Sequence, residues 1–141
     1  MDSLSASPRL ALALLILRIA VATVFLYHGT AILFGVLGGP GPVAFAGVMH
    51  APVIIGYLVG LAQVVGALAV LTGVFHRFGT VCIMIVMLGA IFLVHLPHGF
   101  SVAKGGYEFA LTEFLIAFAL FLTGPGPWSL APFLPASLRP L

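Results

Sequence analysis

"LALALLILRIAVATVFLYHGTAILFGVL", residues 10–37, carries one charge, Arg18, in 28 positions. A run so long and so apolar is at home in lipid. About 20 residues of α-helix cross the ~30 Å hydrocarbon core of a bilayer. Three more runs share its character, at 52–74, 78–96 and 109–123. None shows the strict alternation of a membrane-barrel strand, so helices are expected. The separators are helix breakers: "GGPGP" at 38–42, the short "FHR" at 75–77, "PHGFSVAKGG" at 97–106 and "GPGP" at 124–127.

The composition agrees. Charged residues are 6% of the chain, against about 25% in an ordinary soluble domain. The expected fold is all-α: an integral membrane four-helix bundle, with residues 1–141 as one membrane domain in a lipid bilayer. The first run reads as a retained span rather than a cleaved leader, because Arg18 interrupts it and no clean cleavage site follows. No basic run or basic-aromatic interleaving points to nucleic acid. Cys82, the one cysteine, excludes an internal disulfide and a CxxC pair, and reads as a buried, inert thiol. With four spans, Arg9, Arg77 and Arg139 fall on one side and Lys104 on the other. The positive-inside rule then places both termini in the cytoplasm.

Two charges lie within spans, Arg18 and Glu113. An ionised group facing lipid is expensive, so both are expected to face the bundle interior and to pair there. Gln63, near the middle of the second run, lies at a depth that could join them in a polar network of Arg18, Gln63 and Glu113. On this reading Glu113→Gln costs far more stability than Gln63→Leu. Gly56 and Gly60 form a GxxxG on the same helical arc as Gln63 and read as a helix-packing face.

Polar chemistry gathers at the outer ends of the spans. His28 lies near the end of the first, and His95 and His98 flank Pro97 at the end of the third. His50 lies in the first outer loop, Tyr107 and Glu108 open the fourth span, and His76 falls on the cytoplasmic side. Glu108 at a helix N-terminus has a plain role against the helix dipole. The cluster admits several chemistries. His95 and His98 with His28 or Glu108 could ligate a metal, although no standard zinc spacing is present. His28 and His95 could clamp a haem, as four-helix bundles can. Interfacial imidazoles could bind a quinone carbonyl and exchange protons, which is favoured over haem and metal. The plain alternative is that they anchor helix ends. No complete active site is visible.

The order "RIAVATVFLYHG", a "GG" loop, "GLAQVVGALAVLTGVFHR", "HLPHGF…GGYEF" and "TGPGPWSL" resembles the DoxX/DoxD family over roughly residues 15–130. That resemblance implies a four-helix prokaryotic membrane protein. The founding example is a membrane subunit of an archaeal thiosulfate:quinone oxidoreductase, and other relatives are described as partners in redox complexes. Matched positions are Arg18, His28, Gly29, His95, His98, Gly99, Gly106, Tyr107 and Glu108. Departures are Ile32, Gln63 and Ala131, where relatives often carry a lysine, a glutamate and an aspartate. Glu113 would then replace the span-two carboxylate facing Arg18. The resemblance implies a multi-pass subunit of a quinone-linked oxidoreductase in a prokaryotic inner membrane. It would anchor redox partners and bind quinone near Arg18, His28, His95, His98 and Glu108. A non-catalytic scaffold for a larger complex is the alternative, and a small transporter lined by Arg18 and Glu113 a third class. Homo-oligomerisation is left open.

Overall fold

The computed structural model describes residues 7–135 and 137. The described chain is helical, without strands. Helix α1 spans Pro8–Phe34, α2 Gly41–Val48, α3 Val53–Thr72, α4 His76–Gly89 and α5 Glu108–Thr123. Beyond Gly89, α4 widens into a π-helical turn over Ala90–His95 and tightens into a 3-10 turn over Leu96–His98. Short 3-10 turns also occupy Val102–Lys104 and Ala131–Phe133.

Three helices are long and apolar enough to cross a membrane: Pro8–Phe34, Val53–Thr72 and His76–His98. The fourth apolar helix, α5, has 16 residues, or about 24 Å at 1.5 Å per residue. The pairs α1 and α3, α3 and α4, α4 and α5, and α5 and α1 all pack together, closing a ring of four helices. The exterior is dressed with large apolar side chains such as Leu12, Ile16, Leu58, Ile85 and Leu122. The interior holds Arg18, Gln63, His76, Thr80 and Glu113 beside Val21, Phe25, Val70, Ile83 and Leu120. Apolar outside with polar groups inside is the distribution a lipid solvent selects.

The first loop contains a helix that the breakers at 38–42 had concealed. Pro42 is the second residue of α2, a position where its missing N–H costs nothing and its fixed φ favours helix. α2 packs on α3 and α1. Cys82 is partly exposed rather than buried, because the buried face of α4 runs through His76, Gly79, Thr80, Ile83 and Met87 and leaves it to one side. Arg139, one of the three basic residues in the orientation count, lies outside the described residues.

Small residues set the helix spacing. A Cβ at Gly60 would stand 2.9 Å from the Leu33 Cβ on α1, and one at Gly29 would stand 2.9 Å from the Val64 backbone nitrogen on α3. A Cβ at Gly56 would overlap the Pro42 carbonyl of α2. Gly79 approaches Ala69 and the Gly66 carbonyl in the same way where α4 crosses α3. Close backbone approach of this kind supplies the dispersion contact that replaces hydrophobic driving force in lipid. By contrast, a Cβ at Gly47 meets nothing within 4 Å. Gly56→Ala should therefore cost about 1–3 kcal/mol through overpacking. Gly47→Ala, inside α2, should be neutral or gain up to about 1 kcal/mol from helix propensity. Thermal unfolding of both variants in detergent checks the contrast. Equal losses would contradict this packing.

Candidate functional site

The end of α3 explains Arg18. A helix leaves its last four carbonyls without intrahelical partners. For α3 these belong to Ala69, Val70, Leu71 and Thr72, and each finds a donor. Gly73 N donates to Ala69 O at 2.9 Å and Leu130 N to Thr72 O at 2.8 Å. Arg18 Nε donates to Val70 O at 2.8 Å, and Arg18 Nη2 donates to Leu71 O. Arg18 Nη1 reaches on to Pro125 O at 3.0 Å and Trp128 O at 2.7 Å. The residue is 2% exposed. Its fork of fixed donors suits several carbonyls at once, and the negative end of the α3 dipole favours its charge.

This corrects the expected pair with Glu113. Arg18 is engaged by carbonyls at the end of α3 and in the segment after α5, and Glu113 Oε2 is buried with no hydrogen-bond partner. The physical reason is depth. α1 is 27 residues long and α3 only 20, so Arg18, although well inside its own helix, is level with the tip of α3. The turn there is tight. Gly73 adopts φ 79°, and a Cβ on it would stand 2.5 Å from Ser129 Cβ and 2.9 Å from Pro125 Cβ.

His76 is a buried group to which the sequence alone assigned no role. It is 2% exposed, and its Nε2–H donates to Leu120 O at 3.1 Å, in the last turn of α5. The signal was available: His76 is in helical phase with the buried Thr80, Ile83 and Met87.

At the other end, the polar block of residues 95–108 is mostly occupied with holding its own shape. Gly106 N donates to Ser101 O, Tyr107 N to Gly99 O and Glu108 N to Phe100 O. Val102 N donates to Glu108 Oε2 at 2.9 Å. His98 Nδ1 bonds Val94 O at 3.1 Å, and His95 Nδ1 bonds Gly105 O at 2.7 Å. The rings of Phe100 and Tyr107 meet edge to face at 5.5 Å. A Cβ at Gly106 would overlap the Gly99 carbonyl, so the loop closes on bare backbone.

Beneath this loop lies a cavity of about 480 Å³, within the common range of ligand pockets. All five helices contribute to it. Its walls are apolar, with Phe25, Ile32, Val59, Met87 and Phe109 among them, and its polar groups are His28, Gln63 and His95. Gln63 is 4% exposed, and among the described residues its side-chain amide has no protein partner. His28 is exposed and His95 half-buried, so both lie toward the surface. The π-helical turn over Ala90–His95 forms part of the wall. Such a turn takes in one extra residue and rotates the residues beyond it, and it often marks a functional wall.

The expected site residues therefore separate. His28 and His95 meet at the cavity, where Gln63 joins them. His98 and Glu108 serve the loop. Arg18 lies ten residues from His28 along α1, or about 15 Å. Glu113 follows Ala110, a cavity residue, by one turn on the buried face of α5. Among the described residues no group of three His, Cys, Asp or Glu side chains is placed to hold a metal ion.

An inside-out helical ring with a buried capping arginine and an apolar cavity defines a multi-helix membrane protein. The sequence profile of the DoxX family matches residues 13–96. The chain belongs to the DoxX family. No curated protein and no solved structure matches it.

The capping role of Arg18 gives a direct test. Arg18→Met leaves charge-assisted bonds unmade and carbonyls stranded, and should cost about 3–5 kcal/mol. Glu113→Gln removes no partner and should change stability by less than about 1 kcal/mol. Reversible unfolding in mixed micelles measures both. Comparable losses would restore the ion pair.

Proposed function

We propose that this chain is the membrane subunit of a quinone-linked oxidoreductase and that its outer cavity binds the quinone. The observation that carries this reading is Gln63. Its side-chain amide makes no protein hydrogen bond among the described residues and lines the cavity, where a ligand able to hydrogen-bond would satisfy it. Here it faces an apolar chamber large enough for a substituted ring, and two imidazoles lie nearer the surface. A quinone matches that environment, with an apolar ring and tail and two oxygens able to hydrogen-bond. When bound, such a molecule would supply two-electron, two-proton redox chemistry. This chain's own residues would bind it, orient it and exclude water from it. The electrons would come and go through a partner subunit that the helices anchor.

In this reading the chain is a multi-pass protein of a prokaryotic cytoplasmic membrane, with α5 as the fourth crossing. Arg9 and Arg77 lie toward one end of the bundle and Lys104 in the loop at the other. The start of α1 then faces the cytoplasm, and the cavity lies in the outer half of the bilayer.

Solvent extraction of the protein purified in native lipid discs, followed by mass spectrometry, should find quinone retained above its level in empty discs. Gln63→Leu should lower the retained amount about tenfold, the worth of one good buried hydrogen bond, while leaving the protein folded. Retention equal to the lipid background would contradict the assignment and favour a scaffold. A haem absorption band in the pure protein would contradict it as well.

A further inference from the structure

The cavity carries more information than its size, because one of its polar groups has a fixed hydrogen-bonding sense. His95 Nδ1 lies 2.7 Å from the Gly105 carbonyl oxygen. A carbonyl oxygen can only accept, so the ring proton of a neutral imidazole sits on Nδ1. Nε2 on the opposite edge is then a bare lone pair. It has no protein partner among the described residues, and His95 lines the cavity. The Gly105 bond is tied to the fold of the outer loop. Gly105 N donates to Val102 O, and the neighbouring Gly106 N donates to Ser101 O. Reversing the tautomer would place two acceptors face to face at 2.7 Å.

Gln63 has no such bias. Its amide presents a donor and an acceptor, and rotation about its last bond exchanges them. One end of the cavity thus accommodates either a carbonyl or a hydroxyl, and His95 accepts only a donor.

We infer that the outer cavity selects a lipophilic hydroxyl compound, a hydroquinone or related phenol, over the corresponding quinone, and that His95 is the residue that makes the distinction. A hydroxyl donates to Nε2. A carbonyl at the same place would set lone pair against lone pair. This inference rests on the proposed function, and it narrows it by naming the reduced form as the preferred occupant.

The test uses the full chain in lipid discs, kept anaerobic so that the reduced probe survives. Three probes share one ring and one decyl tail: the hydroquinone, the quinone, and the dimethyl ether of the hydroquinone. Competition binding against a fluorescent quinone analogue gives the affinities. The hydroquinone should bind roughly five- to tenfold more tightly than either of the others, the span of one neutral hydrogen bond. His95→Phe should remove that preference by weakening the hydroquinone alone. The wild-type comparison stands without the variant, should the loop loosen when the Gly105 bond is lost. Equal affinity of the three probes, or tighter binding of the quinone, overturns the inference while leaving a quinone site intact. A preference that survives in a folded His95→Phe overturns the role of His95. Binding of none of the probes overturns both this inference and the function on which it rests.

Discussion

One guanidinium closes the cytoplasmic-facing end of this bundle in the proposed orientation. Arg18 rises from α1, takes the last free carbonyls of α3, and holds the Pro125 and Trp128 carbonyls of the segment after α5. Three parts of the chain, separated by as many as 110 residues, meet on one side chain. Water could satisfy those carbonyls in a soluble protein, but the edge of a membrane offers less of it. The charge needs no carboxylate, because the partial negative charge of a helix end and two loop carbonyls surround it. His76 repeats the device on a smaller scale by donating to Leu120 at the end of α5.

The same economy governs the opposite end. The block that gathers histidines, a lysine and a glutamate looks like a catalytic cluster in one dimension. In three dimensions most of its polar atoms are consumed in holding a glycine-rich loop closed. Glu108 holds the Val102 N–H, His98 returns to Val94, and His95 fastens Gly105. Among the described residues, one nitrogen of His95, the ring nitrogens of His28 and the amide of Gln63 make no hydrogen bond. These are the groups that lie on the cavity. Backbone partners cap both ends, while the buried Glu113 Oε2 and His76 Nδ1 stay unpartnered among the described residues, away from the cavity.

Much of the fold was legible in the sequence because lipid imposes a simple rule. Long apolar runs between proline and glycine clusters must be helices, and four such runs were visible. The short helix α2 was hidden because Pro42 reads as a breaker unless it is known to stand in the first turn. The partner of Arg18 was hidden for a different reason. Counting residues gives depth only within one helix, and the offset between α1 and α3 depends on how Gly29 and Gly60 let them dock. Glu113 was the only other charge within a span, so pairing it with Arg18 followed from composition; backbone carbonyls, which every residue carries, could not be singled out. His76 was readable from its phase with Thr80 and Ile83, but its loop position drew attention away. The cavity itself was not readable, because five helices contribute to it and the π-helical turn shifts the phase of its wall.

The outer cavity, and not the apolar exterior, is the proposed seat of the quinone. Photolabelling with an azido-quinone in lipid discs, with the modified residues located by peptide mass spectrometry, addresses this most directly. Labels should concentrate on the cavity faces of α1, α3 and α4, around His28, Gln63 and the turn at Ala90–His95, and should be competed away by unlabelled quinone. Labels spread over the lipid-facing side chains, unaffected by competitor, would contradict it.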